Sequence, residues 1–306
     1  MWYSLPVLCF HDCSDGGFFD LRKFNKFVQT CLEKTRKNDL LNVTNTPLTK
    51  IEFVLRQPQK ISITDVRLWR FHSVSLPSLA SMNLERVKLN DETLHKRVLG
   101  CRCLKELILD DCDGISRPII SSLSLKLLEA HSEYDEVTFH VEAAKLESFL
   151  GTGVAAYFEF GLSSYGTLRE LSLFRSRFAD WWLEELILKL PILESLTLCD
   201  SRYLDAPKIR SLQLKYLSIE RIGYSHTLDA KLDCPNLLLF EYEGFLGKNL
   251  NHQNLLGAEI KIYGPEECDM NWFINLLEIL SSLNCSQYLS LDVSSEKLIS
   301  LRSIIP

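Results

Sequence analysis

Leu104-Lys-Glu-Leu107-Ile-Leu109 is the stretch that decides how this chain folds. Its apolar residues stand at the first, fourth and sixth positions. From the fourth position on they alternate with period two, the pattern of a short strand with one buried face. Seven other stretches repeat the spacing, with apolar substitutes allowed. They are Leu79-Ala-Ser-Met82-Asn-Leu84, Leu125-Lys-Leu-Leu128-Glu-Ala130, Leu146-Glu-Ser-Phe149-Leu-Gly151 and Leu168-Arg-Glu-Leu171-Ser-Leu173. Leu193-Glu-Ser-Leu196-Thr-Leu198, Leu214-Lys-Tyr-Leu217-Ser-Ile219 and Leu237-Leu-Leu-Phe240-Glu-Tyr242 complete the set. Their first positions lie 25, 21, 21, 22, 25, 21 and 23 residues apart. One match says little, because leucine is common. Eight in register at one period say a great deal.

That period is the period of leucine-rich repeats, one strand per repeat. Val87, Cys112, Ile222 and Phe245 stand three residues after the last apolar position, where the repeat pattern asks for Asn or Cys. Between strands, Trp182, Leu183, Leu186, Ile187 and Leu190 recur at helical spacing, as do Leu94, Val98 and Leu99. One such unit cannot bury its own apolar face, so the units must stack. The expected fold is therefore α/β, a leucine-rich-repeat solenoid shaped as an irregular horseshoe. A parallel sheet lines its concave face; helices and loops form the convex face.

The pattern weakens toward both ends, as terminal repeats do. Leu48-Thr-Lys-Ile51-Glu-Phe53 and Ile61-Ser-Ile63 read as strands upstream. Gly257-Ala-Glu-Ile260-Lys-Ile262 and Tyr288-Leu-Ser-Leu291-Asp-Val293 do so downstream. Phe18, Leu21, Phe24, Phe27, Val28, Cys31 and Leu32 mark an amphipathic helix, with Asp15 as its start signal. A second runs from about Met270 to Leu283. Residues 1–47 are accordingly read as a helical N-terminal cap and 48–306 as the solenoid, with 257–306 as atypical C-terminal repeats. No linker or low-complexity segment divides them.

Composition narrows the function. The 306 residues are 46% hydrophobic and 24% charged, with a formal net charge of −6. That balance does not suit neutralising phosphates, so nucleic acid is not the expected partner. Met1 to Phe10 lacks the charged start and long apolar run of a secretory signal. No run of eighteen apolar residues exists to span a membrane. The ten scattered cysteines are then expected to be reduced, in the cytoplasm or nucleus, and mostly to fill core space.

The chemistry of catalysis is hard to find. Cys101-Arg-Cys103 with Cys112 is the one close cysteine cluster, and it lacks the second pair that zinc usually takes. His11-Asp12-Cys13 puts a thiol beside a base, but adjacent residues rarely face each other. There is no phosphate-binding glycine loop, no H-E-x-x-H and no G-x-S-x-G. Gly151-Thr-Gly153 reads as a turn. Of Trp181 and Trp182, one is expected in the core and the other on the outer surface. The chain is read as a binder without cofactor or metal, not as an enzyme.

The sharpest expectation concerns the concave face. If the fourth and sixth positions point inward, the third, fifth and seventh face the partner. Eight of those 24 positions are acidic and none is basic, where composition gives about three of each. The candidate partner-binding residues are Glu106, Asp110, Glu129, Glu170, Glu220, Glu241 and Glu243, with Phe174, Tyr216 and Leu239 as anchors. They imply a protein partner with a basic surface.

A family resemblance points the same way. LPSLASMNLERVKLNDETLHKRVLGCRCLKELILDDCDGI (76–115), FFDLRKFNKFVQTCLEKTRKNDL (18–40) and DCPNLLLFEYEG (233–244) are similar to segments of plant F-box proteins with irregular leucine-rich repeats. The resemblance covers roughly residues 1–300. In that family an F-box precedes the segment matched by Trp2 to Leu8, and a C-terminal extension often follows the repeats. Neither is recognisable in this sequence. The F-box docks a Skp-type adaptor of a cullin ubiquitin ligase and the repeats choose the substrate. The resemblance implies the second role for these residues and leaves adaptor docking without its helices. The alternative is a free-standing interaction solenoid with no ligase link.

Overall fold

The computed structural model describes residues 7–11, 60–64, 78–132, 137–153, 159–201, 203–222, 230–246, 252–264 and 270–294. The amphipathic helix expected between Phe18 and Leu32 and the strand expected at 48–53 lie outside these residues, as do Asp12 and Cys13.

Each repeat contributes one strand to a single sheet. In chain order the strands of the molecule are β1 (Val7–His11), β2 (Lys60–Thr64), β3 (Ser81–Glu85), β4 (Glu106–Asp110), β5 (Ile119–Ser122), β6 (Leu127–His131), β7 (His140–Ala143), β8 (Ser148–Thr152) and β9 (Glu159–Phe160). They continue as β10 (Glu170–Phe174), β11 (Ser195–Cys199), β12 (Lys208–Arg210), β13 (Tyr216–Glu220), β14 (Lys231–Asp233), β15 (Leu239–Phe245), β16 (His252–Tyr263) and β17 (Leu283–Ser294). Among the described residues twelve of them form the main sheet, in the order β1-β2-β3-β4-β6-β8-β10-β11-β13-β15-β16-β17. Every neighbouring pair in it is parallel. The chain is a leucine-rich-repeat solenoid.

The returns between these strands differ from repeat to repeat. Helix α1 (Asp91–Gly100) follows β3, and α3 (Asp180–Lys189) follows β10. A short α2 (Leu162–Tyr165) follows β9, and α4 (Met270–Ser282) precedes β17. Elsewhere extended chain takes the place of a helix. These segments pair into two small convex sheets, β5-β7-β9 and β12-β14. Helix α1 packs on β5 and α3 on β12.

The core is a ladder. The first-position leucines Leu79, Leu104, Leu125, Leu146, Leu168, Leu193, Leu214 and Leu237 are all buried. So are the fourth and sixth positions, from Met82 and Leu84 to Phe240 and Tyr242. The weak repeat at Phe149 and Gly151 obeys the rule as well, because Gly151 takes the sixth position inside β8 rather than a turn. Leu94, Val98, Leu183, Leu186 and Ile187 close the convex side, whereas Leu99 points outward. Trp182 packs against Phe178 with ring centroids 5.0 Å apart, while Trp181 is exposed.

One backbone device recurs. The residue after the strand adopts positive φ at Arg86, Asp111, Arg175, Asp200 and Arg221, and at Gly153. Its N–H then donates to the seventh-position carbonyl of the next strand: Arg86 to Asp110 at 2.7 Å, Asp111 to His131 at 3.0 Å, Gly153 to Phe174 at 3.0 Å, Arg175 to Cys199 at 2.8 Å, Asp200 to Glu220 at 3.0 Å and Arg221 to Glu243 at 2.7 Å. A left-handed residue other than glycine costs roughly a kilocalorie per mole. The inter-repeat hydrogen bond offsets that cost, since an unpaired N–H would be worse. One residue further on, the side chain turns inward. Val87 and Ile222 are buried there, and Cys112 donates its Sγ–H to the Leu84 carbonyl at 3.3 Å. Ser176 and Ser201 hold the same place, buried, and bond back to Phe174 and Cys199. Phe245, read as a member of this set, instead lies in a longer β15 and is exposed.

Two aspartates tie a helix to the loop of the following repeat. Asp91, at the start of α1, accepts the backbone N–H groups of Ser116 and Arg117, each at 3.0 Å. Asp180, at the start of α3, accepts those of Asp205 and Ala206 at 3.1 and 3.0 Å. Asn90 caps α1 itself, its side chain accepting from Thr93 N–H at 2.9 Å.

The two ends depart from the expected frame. Strand β1 lies inside the segment read as a helical cap, and it pairs with β2 at the first edge of the sheet. At the other end the motif frame shifts by two. Ala258 and Ile260 stand opposite Phe240 and Tyr242, and Leu289 and Leu291 stand opposite them in turn. Buried Leu255 supplies the inward residue that Gly257 was assigned.

Candidate functional site

Parallel pairing in strict register turns the third, fifth and seventh positions into three rows across the sheet. The first row runs Ser81, Glu106, Leu127, Ser148, Glu170, Ser195, Tyr216, Leu239. The second runs Asn83, Ile108, Glu129, Leu150, Ser172, Thr197, Ser218, Glu241. The third runs Glu85, Asp110, His131, Thr152, Phe174, Cys199, Glu220, Glu243. All ten candidate residues lie on this one face, at strand spacing from their row neighbours.

The rows are not equivalent in charge. On the C-terminal half the acids are already engaged. Glu243 accepts from Arg221 Nη1 and Lys261 Nζ, each at 3.1 Å, and from the Tyr263 hydroxyl. Burial pushes the Glu243 carboxyl up, but the Tyr263 and Lys261 hydrogen bonds and the Lys261 and Arg221 charges outweigh it and hold the group below the ordinary carboxylate range. Arg221 also donates its Nε–H to Asp200 at 2.8 Å, which keeps it charged. Glu241 accepts the Tyr216 hydroxyl; burial and that carboxylate together push the phenol up to about 12. Glu220 accepts from Ser218 and from the Cys199 thiol.

On the N-terminal half the acids stand differently. Glu106, Asp110 and Glu170 have no ion-pair partner among the described residues, and Glu129 has only His131 at 3.9 Å. Three of these four share neighbouring strands β4 and β6. Phe174 sits half-buried in the third row beyond them.

The charge skew in the sequence is thus partly cancelled by residues outside the 24 positions. Arg221 occupies the left-handed place after β13, and Lys261 and Tyr263 belong to β16. The signal for β16 was present in Ile260-Lys-Ile262, whose period-two spacing continues the face for one more strand. Arg221 had no such signal, because only its positive φ and the register bring it between Asp200 and Glu243.

The thiols are placed for packing. Burial, then the carboxylates of Glu220 and Asp200, pushes Cys199 up to about 12. Burial pushes Cys112 and Cys234 up to about 11. Cys101 is buried and Cys103 exposed on the other side of the same turn. Among the described residues no three His, Cys, Asp or Glu side chains converge on a common point, and no helix is long and apolar enough to cross a membrane.

Residues 40–157 match the family model described as FBD-associated F-box protein At5g56370, LRR repeats. Over those residues the chain is similar to the leucine-rich repeats of that family. The match spans β2 to β8, the half of the sheet that carries Glu106, Asp110 and Glu129. Leucine-rich repeats serve as protein-interaction modules, and a row-ordered face of charged and aromatic side chains on a rigid sheet is how they do so. No curated protein and no solved structure matches the chain.

Proposed function

We propose that this solenoid is the substrate-recognition module of an F-box-type ubiquitin ligase subunit and that its concave face binds a protein with a basic surface. One observation carries the reading: Glu106, Asp110 and Glu170 are acids on one face without an ion-pair partner among the described residues, and Glu129 beside them has only His131 at 3.9 Å. Phe174, Tyr216 and Leu239 supply apolar area beside them, and large side chains set among polar ones are the usual anchors of a protein interface. The raised thiols of Cys112, Cys199 and Cys234 support binding rather than catalysis, because the thiolate is the nucleophile and these stay protonated. A role in the cytoplasm or nucleus goes with that reading.

Uncompensated acids steer a basic partner, so they act on the association rate. Partners captured from the native tissue, with and without a Skp-type adaptor, provide the ligand. The triple variant Glu106→Lys, Glu129→Lys, Glu170→Lys then slows association about ten-fold or more at low salt. Reversal at Glu243 perturbs folding instead, since Lys261 loses its carboxylate and Arg221 is left with Asp200 alone. Binding unaffected by the triple variant or by salt rejects the acidic-face reading. Capture of the partner without any adaptor component favours the free-standing solenoid.

A further inference from the structure

The chain enters each strand of the main sheet by a short connection from the convex side, and these connections form one edge of the solenoid. From Leu99 to Leu239 all of them lie within the described residues. Their turns are tight. Leu104 donates its N–H to the Cys101 carbonyl at 3.1 Å, and Leu193 donates to Leu190 at 3.3 Å. Ser122 Oγ accepts the N–H groups of Ser124 and Leu125 at 3.3 and 3.2 Å, and Ser211 Oγ accepts those of Gln213 and Leu214, each at 3.2 Å. The two serine turns project Leu123 and Leu212 from the edge. Leu123 is 83% exposed, Leu162 92% and Leu188 71%; Leu99 and Leu212 are exposed as well. A single exposed leucine needs no explanation, but five along one edge do.

The same edge is basic, although the chain carries a net charge of −6. Arg102, Lys105, Lys126, Lys145, Arg169 and Lys215 stand on its connections, against only Glu147 and Glu194. Both acids are already held. Lys126 pairs with Glu147 at 2.6 Å; Lys215 pairs with Glu194 at 2.8 Å, and Arg169 pairs with it too. Arg102, Lys105 and Lys145 have no ion-pair partner among the described residues. Cations are therefore left over, interleaved with projecting leucines.

We propose that this edge is a second docking surface, and that its occupant is an acidic amphipathic helix of another protein. Two features select that occupant. The first is charge: the unpaired Arg102, Lys105 and Lys145 call for carboxylates beside an apolar stripe. The second is pitch. Neighbouring strands lie about 4.8 Å apart, so the edge offers one residue of each kind at about that interval. A helix brings an apolar residue to one face about once per turn, every 5.4 Å or so. Leu99, Leu123, Leu162, Leu188 and Leu212 lie on the connections into β4, β6, β10, β11 and β13. From the first to the last is five strand spacings, about 24 Å, the length of a helix of about sixteen residues. The mismatch of pitch grows to only about 3 Å over that length, within the reach of leucine and lysine side chains. The concave face has the opposite sign of charge, so the two surfaces take different partners and do not compete. The proposal does not depend on what the concave face binds.

A labelled peptide of about sixteen residues, with leucine at every third or fourth position and glutamate beside it, is the probe. Fluorescence anisotropy with the full chain is expected to show binding that weakens with salt, and dichroism to show the peptide gaining helix as it binds. Leu123→Asp combined with Leu188→Asp weakens binding about ten-fold or more, because two exposed leucines lose their apolar cover. Lys105→Glu combined with Lys145→Glu weakens it at low salt and much less at high salt. All four sites are exposed, so the melting points of these variants match that of the parent chain, which separates lost docking from lost folding. The concave triple variant binds the peptide at least as well as the parent chain, so failure of the concave-face reading leaves this result untouched. Equal binding of a scrambled peptide of the same composition overturns the proposal, since charge alone then drives the contact. Binding indifferent to the edge variants overturns it too. So does Leu123-dependent capture of the chain by vesicles of phosphatidylserine and phosphatidylcholine without peptide binding, which assigns the edge to a membrane surface.

Discussion

Arg97→Met is expected to stabilise the protein. Arg97 lies on α1 among Leu94, Val98 and Cys101 and is only 8% exposed. Its Nε and Nη2 atoms are buried without a hydrogen-bond partner. Burial lowers the guanidinium pKa from its ordinary value to about 10, with the nearby Cys101 acting weakly the other way. A shift of that size corresponds to about 3 kcal/mol by which the fold disfavours the charged form. Methionine keeps most of the stem volume, removes the charge and adds apolar burial. Exchanging a buried ion pair for apolar side chains is neutral or gains about 1–4 kcal/mol, and an unpaired buried charge has no attraction to lose, so a gain of about 1–3 kcal/mol is expected after some loss of fit. Urea unfolding followed by far-UV dichroism measures it as a higher midpoint at unchanged slope. The pH dependence supplies a second check. The folded-state pKa lies below the unfolded one, so the unfolded chain binds the proton more tightly and stability rises as pH climbs above about 10 toward the ordinary arginine range. The penalty is therefore full below pH 10, and the gap between parent and variant narrows above it. A variant less stable than the parent at neutral pH by 1 kcal/mol or more refutes the reasoning, since the guanidinium would then have an acceptor that matters.

Three further outcomes follow from named contacts. Asp180→Ala removes the acceptor for the Asp205 and Ala206 N–H groups and lowers stability by about 1–2 kcal/mol, read by urea midpoint; Asp91→Ala does the same one helix earlier. Gly257→Ala forces Tyr288 aside, because a Cβ there would stand 2.2 Å from its ring; faster amide exchange across residues 283–294 reports it, and adding Tyr288→Ala restores the parent rate. Glu243 has a folded-state pKa below its unfolded one, so its contribution is present above the ordinary carboxylate range and is lost as pH falls through and below it. Glu243→Gln therefore flattens the acid limb of stability measured from pH 6 to 3, and an unchanged limb shows that the Arg221 and Lys261 pairing contributes nothing to folding.

The repeats share one energetic logic. Leu104 or Leu193 cannot be buried by its own repeat, so each strand is stable only as part of the stack. The recurring left-handed residue and the Asp91 and Asp180 bridges both act between neighbours, at the two ends of a repeat. They couple units that apolar burial alone would let slide along the strand direction.

The sequence by itself determined which residues form the sheet and which face is wet. From Ser81–Glu85 to Tyr216–Glu220 the strands coincide with the motif positions, because period two leaves one choice of inward face and a slip by one residue would bury Glu106 and Glu129. It also determined Leu94, Val98, Leu183 and Ile187 as convex core, because a 3.6-residue period is a local property. Tertiary structure alone decided what the charges do. Glu243 and Glu106 look alike in the sequence, yet one is held by Arg221, Lys261 and Tyr263 and the other has no ion-pair partner among the described residues. The two-residue shift of frame at Ala258 and Leu289 was likewise decided there. The reason is physical: burial follows from the period of apolar residues along the chain, whereas ion pairing depends on register and backbone φ between strands about twenty residues apart.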